Sequence, residues 1–317
     1  MTTVRLETQF LILFCGGLFF PDLASRVDIK LMFIIIGLII VFGCVIGGFL
    51  MINGPLGVLV QPSEFVVIGG AVIGATVMAN PIKYLKQIMA KLPAALKGSP
   101  YNKTTYAEIL RMQYDIFVNS KKGGLLSIEE DVNDPFGSSI FSKYPGFVAN
   151  HHAVAYFCDA MRMLVNGACT PEELEIMLEM EMETHHDEGA IVPALLNRAS
   201  DALPGLGIVA AVLGIVVTMQ HLDGPPEELG KHVGAALVGT FLGLLLSYGF
   251  LAPIAANLDN LAQDEGKYFN CIRTGVIAFA NGAAPATAVE FARKTILSFE
   301  RPSTTELEPL LKEIRPR

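Results

Sequence analysis

The residues best able to do chemistry crowd into one stretch: Glu179, Glu181, Glu183, His185, His186, Asp187 and Glu188. Carboxylates and imidazoles ligate metals and move protons, so a metal-assisted reaction is the first possibility to weigh. Ligation needs its donors gathered on one face, whereas these follow one another along the chain. The run therefore reads as the solvated side of an acidic helix. His151 and His152 read as surface or packing. Five cysteines (Cys15, Cys44, Cys158, Cys169, Cys271) are scattered and form no C-x-x-C pair, which argues against a disulfide framework and a zinc site. No phosphate-binding G-x-x-x-x-G-K, no H-E-x-x-H and no G-x-S-x-G is present. Neither an enzyme nor an organic or metal cofactor is indicated.

The elements that must position any site are apolar. The chain has 317 residues, 52% hydrophobic and 17% charged, with mean hydropathy +0.48, which is the composition of a membrane protein. Its formal charge of −8 supplies no basic surface, so nucleic acid is excluded as a partner. Leu31–Ile52 runs 22 residues without a charge, about 33 Å of helix at ~1.5 Å per residue. Phe65–Ala79 is long enough to span if its helix begins near Pro62. Leu203–Met219 and Val233–Leu258 are the third and fourth spans. The expected fold is all-α: four transmembrane helices, with a helical domain inserted between the second and third.

Basic residues orient the spans. Lys83, Lys86, Lys91 and Lys97 follow span two, while the turn between spans one and two has none, so residues 80–202 and both termini are expected on the cytoplasmic side. The resulting plan is an extension at 1–30, spans at 31–79, a cytoplasmic helical domain at 80–202, spans at 203–258 and a helical tail at 259–317. The extension holds an apolar run, Phe10–Phe20, too short to span. It reads as an upstream or interfacial arm, with Val27 and Met32 as alternative starts. Ser127-Ile128-Glu129-Glu130 and Thr170-Pro171-Glu172-Glu173 both read as helix starts with capping boxes.

Inside the spans, the informative feature is what they lack. A carboxylate at a helix centre costs about 2.5 to 3.5 kcal/mol and marks an ion path. None of the four apolar stretches has one, and Glu64 is expected only at an interface. Thr218, Thr240 and Ser247 are the polar minority, with Pro204 and Pro253 at the inner ends. Any titrating group on an ion path must then come from another chain. Glycines four apart (Gly43 and Gly47, Gly70 and Gly74, Gly239 and Gly243) permit close helix contact and favour an oligomer.

DALPGLGIVAAVLGIV from Asp201, VGTFLGLLLSYGFLAPIA from Val238, NGAAPATAVEFARKT from Asn281 and RPS from Arg301 together resemble the MotA family of flagellar motor stator proteins. The likeness runs from about residue 31 to the end and includes QPSE at Gln61, KKGGLLSIEEDV at Lys121 and EMETH at Glu181. The resemblance implies an inner-membrane subunit, five copies of which surround a dimer of a single-span MotB partner that supplies the ion-carrying Asp. It implies coupling roles for Pro204 in ALPGLG and Pro253 in FLAP. It also implies that Lys121 and Glu129 face the rotor protein FliG, with Lys122 able to share the role of Lys121. The family usually carries Arg at the position of Lys121, so the charge is kept and the planar fork lost. Sodium-type relatives carry Thr seven residues after the span-three proline, where this chain has Ala211, with Thr240 retained; the expected coupling ion is the proton. The ExbB and TolQ group, which energises envelope processes through a similar partner, is the alternative, and the paired first two spans argue against it.

Overall fold

The computed structural model describes residues 29–220 and 225–314, and every regular element among them is helical. In chain order these are α1 Ile29–Met51, α2 Leu56–Leu59, α3 Pro62–Ala79, α4 Ile82–Lys97, α5 Lys103–Gly123, α6 Glu129–Asn133, α7 Pro145–Val148, α8 His151–Val165, α9 Pro171–Met219, α10 Pro226–Leu246, α11 Ala252–Ala280, α12 Pro285–Lys294 and α13 Thr304–Ile314. Apart from Ile29 and Lys30, which begin α1, the 1–30 extension lies outside the described residues. Four stretches are long and apolar enough to cross a membrane: Phe33–Met51, Leu56–Ala79, Pro171–Met219 and Pro226–Ala280. The all-α, four-span expectation holds.

Two compact units divide the chain. One holds the described residues up to Gly98 together with Leu196–Ile254; the other holds Ser99–Leu195 and the described residues from Ala255 onward. The 259–317 tail therefore shares a unit with the inserted domain.

In the membrane unit, small residues decide the packing. Gly207, Ala210 and Gly214 line one face of α9, and Ala236, Gly239 and Gly243 line the facing stripe of α10. The approach is backbone to backbone: a Cβ on Gly243 would lie 2.6 Å from the Leu203 carbonyl oxygen, and one on Gly214 2.9 Å from the Ala236 Cα. Without a hydrophobic force between helices in lipid, contact at this range is what holds them. Ile68, Leu203, Ala210 and Leu242 form the buried apolar cluster beside it. The Gly239–Gly243 pair thus serves a contact within the chain, while nothing stands within 4 Å of a Cβ at Gly43, Gly47, Gly70 or Gly74.

The other unit has a conventional aromatic core. On α5, Tyr106, Ile109, Leu110, Gln113, Ile116 and Phe117 recur at helical spacing and are buried, facing Tyr268, Ile272 and Val276 of α11. The Phe117 and Phe279 rings stack 4.4 Å apart, and Gln113 Nε2 donates to the carbonyl of Ile272 at 3.2 Å. Thr170 and Glu173 form the expected reciprocal cap, Thr170 N–H to Glu173 Oε2 at 2.8 Å and Glu173 N–H to Thr170 Oγ1 at 3.3 Å. Ser127 does not cap. A 3-10 turn, Leu125–Ile128, intervenes, Ile128 is the N-cap of α6, and the Ser127 hydroxyl donates back to the Gly124 carbonyl at 2.7 Å. Gly124 sits at φ 82°, a left-handed turn that an L side chain resists, and this tight exit from α5 claims the hydroxyl first.

Candidate functional site

Two of the expected coupling residues, Ala211 and Thr240, lie on the antiparallel α9–α10 contact. The Ala211 amide nitrogen is 3.1 Å from a Cβ placed on Gly239, the residue before Thr240, and the Thr240 Cα is 3.3 Å from one placed on Gly207. Ala211 and Thr240 thus lie within about one helical turn of each other along this contact, both half-buried. The two threonines differ in what their hydroxyls do. Thr218 Oγ1 donates to the Gly214 carbonyl at 2.8 Å, a satisfied helix back-bond, whereas Thr240 makes no hydrogen bond among the described residues. Of the spans' hydroxyls, that of Thr240 is the one left to meet a ligand at this level.

Pro204 and Pro253, expected at the inner ends of their spans, both sit within helices that continue past them. Pro204 lies inside the 49-residue α9 and Pro253 two residues past a π-helical segment, Ser247–Leu251, that joins α10 to α11. Proline lacks the N–H that would bond the carbonyl four residues back and its ring crowds that carbonyl; widening the preceding turn relieves both. Here the Ala252 N–H reaches back five residues to the Ser247 carbonyl. The same carbonyl accepts the Ser200 hydroxyl at 3.2 Å, and the two serine oxygens lie 3.1 Å apart, both residues buried. Ser200 is the residue whose carbonyl Pro204 leaves without a helix donor. Each proline therefore adjoins one end of a buried serine bridge.

Glu64, expected only at an interface, is drawn into the packing between helices. Because α3 starts at Pro62, Glu64 falls in its first turn, inside the Leu56–Ala79 span, and is 7% exposed. Sequence reasoning placed it at an edge because hydropathy begins at Phe65.

In the other unit, Lys121 and Lys122 occupy the last turn of α5 and Glu129 the first turn of α6, each charge complementing its helix dipole. All three are exposed and enter no ion pair among the described residues. The acidic run of α9 is not a metal centre among the described residues. Its members pair individually: Glu179 with Arg273, and His185 Nε2 with Glu265 Oε1 at 3.6 Å. Burial raises the Cys158 and Cys271 thiols to about 12, so they are inert packing groups.

Comparison with known proteins agrees with this layout. Residues 35–124 match the family model for the motility protein A N-terminal region, and residues 149–270 that of the MotA/TolQ/ExbB proton channel family. Motility protein A of Salmonella typhimurium is 39% identical over 90% of this chain and 96% of its own length. The chemotaxis protein LafT of Vibrio parahaemolyticus is 33% identical over 88% and 98%. In fold, the chain resembles a C. jejuni MotAB structure, with TM-score 0.71, 20% identity, and 86% and 98% of the two chains covered. It also resembles the flagellar MotAB stator complex from Bacillus subtilis, with TM-score 0.68, 24% identity, and 86% and 97% covered. With identity of this extent spread over nearly the full length of its relatives, this four-span membrane chain belongs to the motility protein A family.

Proposed function

We propose that the chain is a stator subunit of the bacterial flagellar motor, acting in the inner membrane with a MotB-like single-span partner whose Asp carries the proton. The observation that supports it most is the motility protein A likeness along 96% of the Salmonella relative. The match over residues 35–124, specific to that family, favours it over an ExbB or TolQ role.

In this reading, five copies surround the partner dimer with both termini in the cytoplasm. The partner's carboxyl takes up and releases protons against the wall formed by Ala211 and Thr240. Leu203–Met219 and Val233–Leu246 carry no acid or base of their own, so the wall guides the charge rather than holding it. One charge crossing is worth about 2.3 kcal/mol per 100 mV, enough to bias a small repacking where Pro204 and Pro253 interrupt the helix hydrogen bonding. Lys121, Lys122 and Glu129 present that motion to a FliG-like rotor protein. Ala211 offers no oxygen to replace the hydration of sodium, which favours the proton.

The test is co-expression with the single-span partner, purification and reconstitution into vesicles. Proton uptake should require both chains, collapse with a protonophore and ignore sodium. Current carried by this chain alone, or flux that follows sodium, overturns the proposal.

A further inference from the structure

Glu64 has no role in the mechanism above, yet its surroundings are the most unusual of any side chain in the membrane unit. Its Oε2 is fully enclosed and has no hydrogen-bond partner among the described residues. A Cβ built on Gly239 would lie 2.6 Å from that oxygen, and 3.1 Å from both the Ala210 Cβ and the Ala211 nitrogen. The carboxyl thus closes on the point where α3, α9 and α10 meet, and the bare backbone of Gly239 is what admits it. Thr240 and Ala211 border the same point.

An ionised carboxylate is expensive here. An unpaired buried acceptor costs about 1 to 3 kcal/mol, and a charge taken out of water among apolar helices adds to that. The dipole of α3, acting on a first-turn acid, returns only about 0.3 to 1 kcal/mol. Leu or Met would wedge the three helices together with neither penalty. A bound cation resolves the imbalance. Metal ions need several oxygens, and no side chain among the described residues hydrogen-bonds to this one. A proton needs one.

Among the described residues, the stretches that meet at this point bring no other titratable group to its level. Leu203–Met219 of α9 and Leu56–Leu59 of α2 contain none. On α10 they are confined to the first two turns (Glu227, Glu228, Lys231 and His232), at least seven residues before Gly239.

We propose that Glu64 is a proton-binding site of the membrane unit. It accepts a proton from hydronium, leaving water, and releases it by the reverse step. The neutral acid packs against Gly239; the carboxylate draws in water and separates α3 from the wall that carries Ala211 and Thr240. The consequence for the motor rests on the stator reading; the binding of a proton does not.

Two measurements separate these. Infrared spectra of the purified full chain in vesicles, titrated with pH, should show a protonated-carboxyl carbonyl band that shifts in Glu64→Asp and is lost in Glu64→Gln. Proton flux by the complex with its single-span partner should fall roughly tenfold in Glu64→Gln while the two chains still co-purify, and recover in Glu64→Asp. If Glu64→Gln does not assemble, the band shift in Glu64→Asp decides the same question. Identical titrating bands in wild type and variants overturn the site, as does wild-type flux with an unchanged pH profile in Glu64→Gln. A wild-type complex that carries no protons sinks the stator reading, and the infrared result stands apart from it.

Discussion

Glu306 anchors the start of α13. It accepts from Lys103 Nζ of α5 at 2.7 Å and from both the amide and the hydroxyl of Ser303 at 2.8 Å, while its own N–H returns to Ser303 Oγ at 3.3 Å. The Lys103 bond, then those from Ser303, bring its pKa from 4.5 to about 2. Since the folded value is the lower one, the stabilisation is complete above 4.5 and disappears as pH falls toward about 2. The amides of α13 should therefore exchange faster as pH drops through that window, after correction for intrinsic rates, and Glu306→Gln should exchange fast throughout. Equal protection in the two proteins at neutral pH would show that the cap does not hold α13. The sequence showed no sign of the Lys103 contact, which joins residues 203 apart in the chain.

At the scale of elements, the apolar runs marked all four spans, because lipid leaves the backbone no other solution than helix. What lies at their ends was less legible. Span two begins at Pro62 as the sequence indicated, but the apolar run that starts at Phe65 gave no sign that Glu64, in that first turn, is a buried contact. The π segment was not legible at all, since its cause, Pro253, reads equally well as a helix end. It places Ser247 where its carbonyl meets both the Ala252 N–H and the Ser200 hydroxyl. Ser200→Ala should remove about 1 kcal/mol of buried hydrogen bonding and leave Ser247 with a free buried hydroxyl. If this bridge transmits repacking between the prolines, the variant complex should assemble and conduct protons but rotate the motor more slowly at a given load, read by the rotation of tethered cells. Unchanged torque would make the bridge a packing detail.

For the whole molecule, the pairing of its small residues separates contacts inside the chain from contacts between chains. Gly239 and Gly243 face α9 and Glu64, so their four-residue spacing says nothing about oligomers. On α3 the situation is reversed. Gly70 and Gly74 meet nothing within 4 Å, and Val66, Ile73 and Val77 around them are 73%, 65% and 52% exposed. A notch of this kind on an apolar face admits another helix at close range, which is the main source of association in lipid. Leucine there costs the isolated fold nothing, because the space in front is open, but it holds a neighbouring helix away. Gly70→Leu with Gly74→Leu should therefore leave the chain folded and inserted while lowering the number of copies seen by native mass spectrometry of the detergent-purified complex. The matched control is Gly243→Leu, whose side chain would meet the Leu203 carbonyl at 2.6 Å and should unfold the membrane unit itself. An undiminished oligomer in the double variant would move the interface off α3, to the exposed apolar flanks of α1 or α9.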